Sequence, residues 1–186
     1  MAITEENPGY KWVGTRPIRP DGLEKVTGKA RFGADLALPG MLHGKVVRSP
    51  HAHAEIVSID TSAAEAMPGV KAVITGADFP DLAANGAHAG DIDVATNTIA
   101  RDKVLYEGHV VAAVAAITRE QAEAAAKAVE ITYQVLPHVL TVDEAMADGA
   151  PLLHDGMITK GVDPAPEDPS NIASKILHER GDLDQG

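Results

Sequence analysis

The sequence predicts an α+β fold on three observations. Short apolar runs of strand length recur along the chain, most of them bounded by Gly, Pro or Asp. Helical stretches between them open on Ser/Thr-x-x-Glu/Gln capping boxes. Residues 129–135, "VEITYQV", alternate strictly, with Val129, Ile131, Tyr133 and Val135 on one face, as a half-buried strand requires.

Element by element, residues 1–40 carry turn signals at "NPG", "RPDG", "VTGKA" and "LPG", and predict an irregular arm with at most short strands. From Met41, "MLHGKVV" and "AEIVSID" predict two strands joined through Ser49-Pro50. Ser62 with Glu65 predicts a short helix stopped by Pro68-Gly69, and "VKAVIT" predicts the next strand. Residues 76–98 show no period and predict a long surface loop.

"KVLY" and "HVVAAVAAI" are the following strands, the second apolar on both faces and therefore central in its sheet. Thr118 with Gln121 opens the clearest helix, "REQAEAAAKAV", rich in alanine and unbranched polar residues. Thr141 with Glu144 caps a last short helix over "VDEAMAD", and the Pro- and Asp-rich "GVDPAPEDPSN" predicts a linker. The order is β-β-α-β, loop, β-β-α-β, with two main helices on one side of a mixed sheet. The expected division is an arm over 1–40, a domain over 41–160 and a linker over 161–186.

Composition bounds the chemistry. A chain of 186 residues is long enough to bury roughly 70% of its unfolded surface. Its 16 Lys+Arg against 27 Asp+Glu give a net charge of −11, which repels phosphate backbones and argues against a nucleic-acid partner. With no cysteine the chain makes no disulfide, iron–sulfur cluster or thiol nucleophile. The longest apolar run, Val110–Ile117, falls far short of the ~20 residues of a membrane span. The N-terminus lacks the basic and apolar regions of a leader, so the expectation is a cytoplasmic protein without membrane contact.

The stretch "VVRSPHAHAEI" tests for metal, since His51 and His53 would share one strand face. A pair of that kind opens the metal site of amidohydrolase-type barrels, but such barrels need ~250 residues and further ligands. His43, His88, His109, His138, His154 and His178 have no ligand-like spacing, and polar histidines after a turn are the stronger reading. Ser49, His51 and Asp60 supply the residue types of a hydrolytic triad without the glycines of a nucleophile elbow. Asp35, Asp60, Asp78, Asp81, Asp91 and Asp93 fall at loop or cap positions, where Asp serves the backbone. No glycine run matches a Walker A loop or a dinucleotide fingerprint. Residues alone therefore predict no catalytic, cofactor-binding or metal residue.

Longer strings carry more. "RPDGLEKVTGKARFGAD", "LPGMLHGKVVRSPHAHAEIVSIDTSAAEAMPGVKAVITGAD", "RDKVLYEGHVVAAVAA" and "YQVLPHVLTVDEAMADGAPLLH" resemble the opening of the large, molybdenum-binding subunit of the xanthine dehydrogenase and aldehyde oxidase family, from Arg16 to Asp184. The resemblance implies that family's α/β hammerhead domain, and it makes "RSPHAHA" a turn between two hammerhead strands. One departure is His109, where many members carry a carboxylate or amide.

The family's molybdopterin-binding glycine loops, its glutamine near the metal and its catalytic glutamate have no matching positions here, so none is carried over. "ERGDLDQG" resembles the lead into the cofactor-binding domains, and the chain is expected to stop where the catalytic part begins. The complete enzyme would hydroxylate an aldehyde or N-heterocycle with oxygen from water. It would use the molybdenum cofactor, with iron–sulfur clusters and FAD in partner domains or subunits. This chain would be an inactive packing platform within it; the alternative is a stand-alone binding or interaction module.

Overall fold

The computed structural model describes residues 11–81, 84–86, 88–178 and 180–181. The chain divides into two units, Met1–Met41 and Leu42–Gly186.

Within the first unit the described residues are irregular apart from a one-turn 3-10 segment at Gly33–Asp35 and helix α1, Gly22–Val26. The arm was expected to hold at most short strands, so α1 is a correction. Its turn is organised by charge: the Asp21 carboxylate receives Arg19 Nε at 2.6 Å and Lys25 Nζ at 2.6 Å. Those partners, Arg19 first, hold the Asp21 carboxyl below its usual range. Trp12, Ile18, Val26 and Phe32 are exposed, and no residue of α1 is buried.

The second unit runs β1 (His43–Arg48), β2 (Ala54–Asp60), α2 (Ser62–Glu65), β3 (Val70–Thr75), α3 (Ala89–Thr98), β4 (Lys103–Val104), β5 (Val110–Ala116), α4 (Arg119–Ala128), β6 (Glu130–Val135) and α5 (Val142–Met146). The strands form two three-stranded sheets, ordered β1-β5-β3 and β4-β2-β6, with every named pair antiparallel. The expected single mixed sheet is thus replaced by two antiparallel ones. A parallel return within one sheet needs a crossover of a dozen residues or more. The four-residue α2 is too short for that, so it hands the chain from β2 in one sheet to β3 in the other. Helix α4 likewise leads from β5 to β6 across the sheets.

β5 is central, as its two-sided apolarity requires: Val111, Ala112, Val114 and Ala116 are buried. One core cluster joins Ala112 and Val114 to Ala64 of α2 and to Ala125, Ala126 and Val129 at α4, with Ile59 and Ile131 packed against it. The many alanines let α4 lie close on the strands. A second cluster holds Ala54, Ala100, Val104 and Val111.

The capping boxes at α4 and α5 form as written: Gln121 N donates to Thr118 Oγ1 at 3.2 Å, and Glu144 N to Thr141 Oγ1 at 3.3 Å. At α2 the cap position is Thr61, not Ser62, whose hydroxyl instead donates to Asp60 at 2.6 Å. β6 keeps its alternation at Ile131 and Tyr133, but Val135 is exposed.

The predicted loop over 76–98 contains α3, a second correction. Its sequence, "AGDIDVATNT", is poor in helix formers, so no periodic signal rises above the polar background. Tertiary contact decides instead: Ile92 and Ala95 form a half-buried inward stripe, and Tyr106 Oη donates to Asn97 O at 2.8 Å. Residues 82, 83 and 87 of that stretch lie outside the described residues. In the C-terminal segment expected to resume a strand-like run, the described residues make an isolated parallel bridge, Lys160 to Ser174, and no strand. Residues 179 and 182–186, within the string likened to the lead into cofactor domains, are outside the described residues.

Candidate functional site

The chemistry-bearing residues singled out in "RSPHAHA" sit in a corner where the chain twice changes sheets. Ser49–His53 links β1 to β2, and Leu105–His109 links β4 to β5. These two links bind one another: Ser49 N donates to His109 O at 2.9 Å, and Gly108 N donates to Ser49 O at 2.8 Å. Arg48 Nη1 adds a bond to Gly108 O at 2.7 Å. Gly108 supports this with φ of +87°, a left-handed conformation that favours glycine.

His109 is the deepest polar side chain of the corner, fully buried and stacked on Tyr106 with ring centroids 4.4 Å apart. Leu105 N donates to its Nδ1 at 3.2 Å, so Nδ1 carries the lone pair and Nε2 the proton. Burial pushes the imidazole pKa below its ordinary value, with the Thr96 backbone pulling weakly the other way. His109 is therefore a neutral acceptor that closes the tight turn from Leu105. A carboxylate or amide at this position has the same capacity to accept the Leu105 N–H. Sequence reading singled out His109 but missed that role, because the backbone donor it serves is fixed only by the turn.

His51 and His53 do not share a strand face. Both precede β2, in the turn itself. His51 meets Tyr133 edge-on with ring centroids 5.0 Å apart. His53 is buried, and its Nδ1 lies 2.8 Å from the Pro137 carbonyl, which can only accept, so this nitrogen carries the proton. Its Nε2 and that of His109 are buried without a hydrogen-bond partner among the described residues. Burial also raises the Tyr133 phenol pKa, opposed by the neighbouring Ser49 hydroxyl.

The triad residue types are present but separately engaged. Ser49 Oγ donates to His51 O at 3.1 Å and accepts from His51 N at 3.0 Å, while Asp60 accepts from Ser62 N at 2.9 Å. Asp35, Asp78 and Asp81 accept backbone N–H bonds from Phe32, Thr75 and Ala84, as cap-position aspartates do. Among the described residues no three His, Cys, Asp or Glu side chains gather as metal ligands.

A sizeable concavity lies elsewhere: an open groove of about 1320 Å³ between α3 and residues 153–158, with Phe79, Arg101 and Lys103 on its walls. Arg101 Nη2 is committed to Phe79 O at 2.6 Å and Pro80 O at 3.1 Å, and Lys103 Nζ to Asp155 at 3.0 Å. These two cations thus serve the walls. No local motif announced this groove, since its sides come from distant segments.

The arrangement defines a two-sheet α+β scaffold in which much of the corner's polar chemistry serves its own turns. The family described as "Aldehyde oxidase and xanthine dehydrogenase, a/b hammerhead domain" matches residues 27–137. The chain belongs to that family and forms its hammerhead domain. It is 39% identical over 169 residues to a probable xanthine dehydrogenase subunit of Bacillus subtilis, across 91% of this chain and 20% of that one. The carbon monoxide dehydrogenase large chain of Afipia carboxidovorans is 41% identical over 150 residues, 80% of this chain and 18% of that relative. Among solved structures, the aldehyde oxidoreductase of Desulfovibrio gigas superposes with a TM-score of 0.64 at 35% identity, covering 75% of this chain and 16% of its own. The chain spans about a fifth of the length of these two curated relatives.

Proposed function

We propose that this chain is the non-catalytic hammerhead platform of a molybdenum-dependent oxidoreductase that hydroxylates an aldehyde or N-heterocycle with oxygen from water. The observation that carries the reading is the extent of the match, 91% of this chain against only 20% of a xanthine dehydrogenase subunit. A carbon monoxide dehydrogenase among the relatives makes another small molybdenum-enzyme substrate the second reading.

Molybdopterin belongs, in this proposal, to the part of the subunit that relatives carry outside the matched fifth. The residues here do not fit it. An anionic cofactor wants free N–H groups at a helix start or a glycine nest. α4 opens with Gln121 N already bonded to Thr118 and with Glu120 in its first turn, and α3 carries Asp91 in its first turn. Iron–sulfur and FAD partners would be separate domains or subunits, since this chain has no cysteine to ligate a cluster. A cytoplasmic location completes the reading; no described helix is long and apolar enough to cross a membrane.

The test is elemental and cofactor analysis of two samples. The native complex purified from the source should carry molybdenum and pterin, whereas the 186-residue chain by itself should carry neither. Stoichiometric molybdopterin on the isolated chain would overturn the platform role, and a native complex without molybdenum would overturn the enzyme class.

A further inference from the structure

The β1-β5-β3 sheet has one face covered along its length, while the other is closed at the Val111 end of β5, where the second core cluster buries it, and open over the rest. The helix side is settled by Lys45, whose Nζ reaches Glu123 of α4 at 3.7 Å, and by Val47, Val73, Ala112 and Val114 in the first core cluster. The residues between these alternate to the other side. Register places them in two straight rows across all three strands: Val46–Ala113–Ile74 and Gly44–Ala115–Ala72. Val46 and Ile74 are each 38% exposed on opposite edge strands, and Gly44 and Ala72 are exposed.

No member of either row is charged, in a chain where charged residues make up 23%. Leu42 and Ile117, one residue beyond the ends of β1 and β5, add apolar surface at 44% and 50% exposure. A Cβ built at Gly44 would meet nothing within 4 Å, so the space above the row is open. Glycine within a strand often marks a place where another backbone approaches closely. By contrast, Glu130, Thr132 and Gln134 on the outward side of β6 give the other sheet a polar face suited to water.

We infer that this uncharged face of the β1-β5-β3 sheet is the docking surface for the molybdopterin-binding part of the large subunit. The inference rests on the functional reading above and names the surface through which it works. Two facts select the occupant. The Bacillus subtilis and Afipia carboxidovorans relatives carry about four-fifths of their length outside the region matched here, so their hammerhead domain has a large covalent neighbour. A second copy of this chain is disfavoured as occupant, because each copy carries a net charge of −11 and like-charged bodies repel.

The experiment is site-specific photocross-linking in the source organism, with p-benzoyl-phenylalanine placed at Val46, at Ile74 and, for comparison, at Thr132 on the polar sheet. Cross-linked peptides are identified by mass spectrometry in native complex already assayed for molybdopterin. Both edge positions are exposed, so either alone keeps the test open if the other fails to fold. The expected result is cross-links from Val46 or Ile74 to sequence of the molybdopterin-binding part, with loss of that product at Thr132. Cross-links joining two copies of this chain would overturn the occupant. A molybdopterin-containing complex giving the product only from Thr132, or from none of the three positions, would overturn the face. A complex without molybdopterin would overturn the functional reading itself, a distinct failure.

Discussion

Replacing His109 with leucine keeps most of the buried volume but deletes the acceptor for the Leu105 N–H, which then has no partner inside the corner. A buried donor stripped of its acceptor costs about 1–3 kcal/mol, so His109→Leu should lower unfolding free energy by that amount. His109→Gln keeps an acceptor oxygen and should recover a good part of it. The pH dependence follows from the same burial. The folded pKa is depressed below the ordinary 6.5, so the unfolded chain binds more protons as pH falls. Stability from this group is complete above about pH 6.5 and is lost below it. The loss grows as pH falls below that ordinary value, until the imidazole protonates in the folded state as well. Denaturant unfolding of the wild type and His109→Gln at about pH 7.5 and about pH 5.5 measures this difference, with the wild type losing more on acidification. Equal losses in the two proteins would refute the assignment of His109 as a neutral, buried acceptor.

Three further outcomes are expected. Gly76→Ala would place a Cβ 2.5 Å from Ala100 O and 2.9 Å from Arg101 Cα, both backbone; the required shift should cost about 1–3 kcal/mol by thermal or chemical unfolding, whereas Gly44→Ala, with open space above it, should cost less than about 1 kcal/mol. Thr118→Ala removes the side-chain acceptor at the start of α4 and should cost about 1 kcal/mol, largely restored in Thr118→Ser. Val114→Ala opens a void between β5 and α4 and should destabilise by about 2–3 kcal/mol, read as a lower denaturation midpoint.

How much of this was written locally can be judged element by element. β2, β3 and α4 are legible because their signals are local: apolar runs bounded by turns, and Thr118-x-x-Gln121 before an alanine-rich stretch. β5 announces its central place through apolarity on both faces, since only a strand covered from both sides tolerates it. α3 is illegible, since "AGDIDVATNT" has neither propensity nor a strong stripe and is held by contacts such as Tyr106 to Asn97. The pair His51 and His53 misleads when read as a strand, because the strand begins one residue later, at Ala54.

By itself, the sequence determined the order of the six strands and of helices α2, α4 and α5, the absence of thiol chemistry and the family resemblance, all properties of residue type and spacing that need no third dimension. Tertiary structure alone decided which strands pair, because pairing depends on whether a connection is long enough to return to its own sheet, and α2 is not. It also decided what His109 does, since a buried imidazole takes its tautomer from the one donor that reaches it. The bare face over Val46, Ala113 and Ile74 exists only once three distant segments are brought into register.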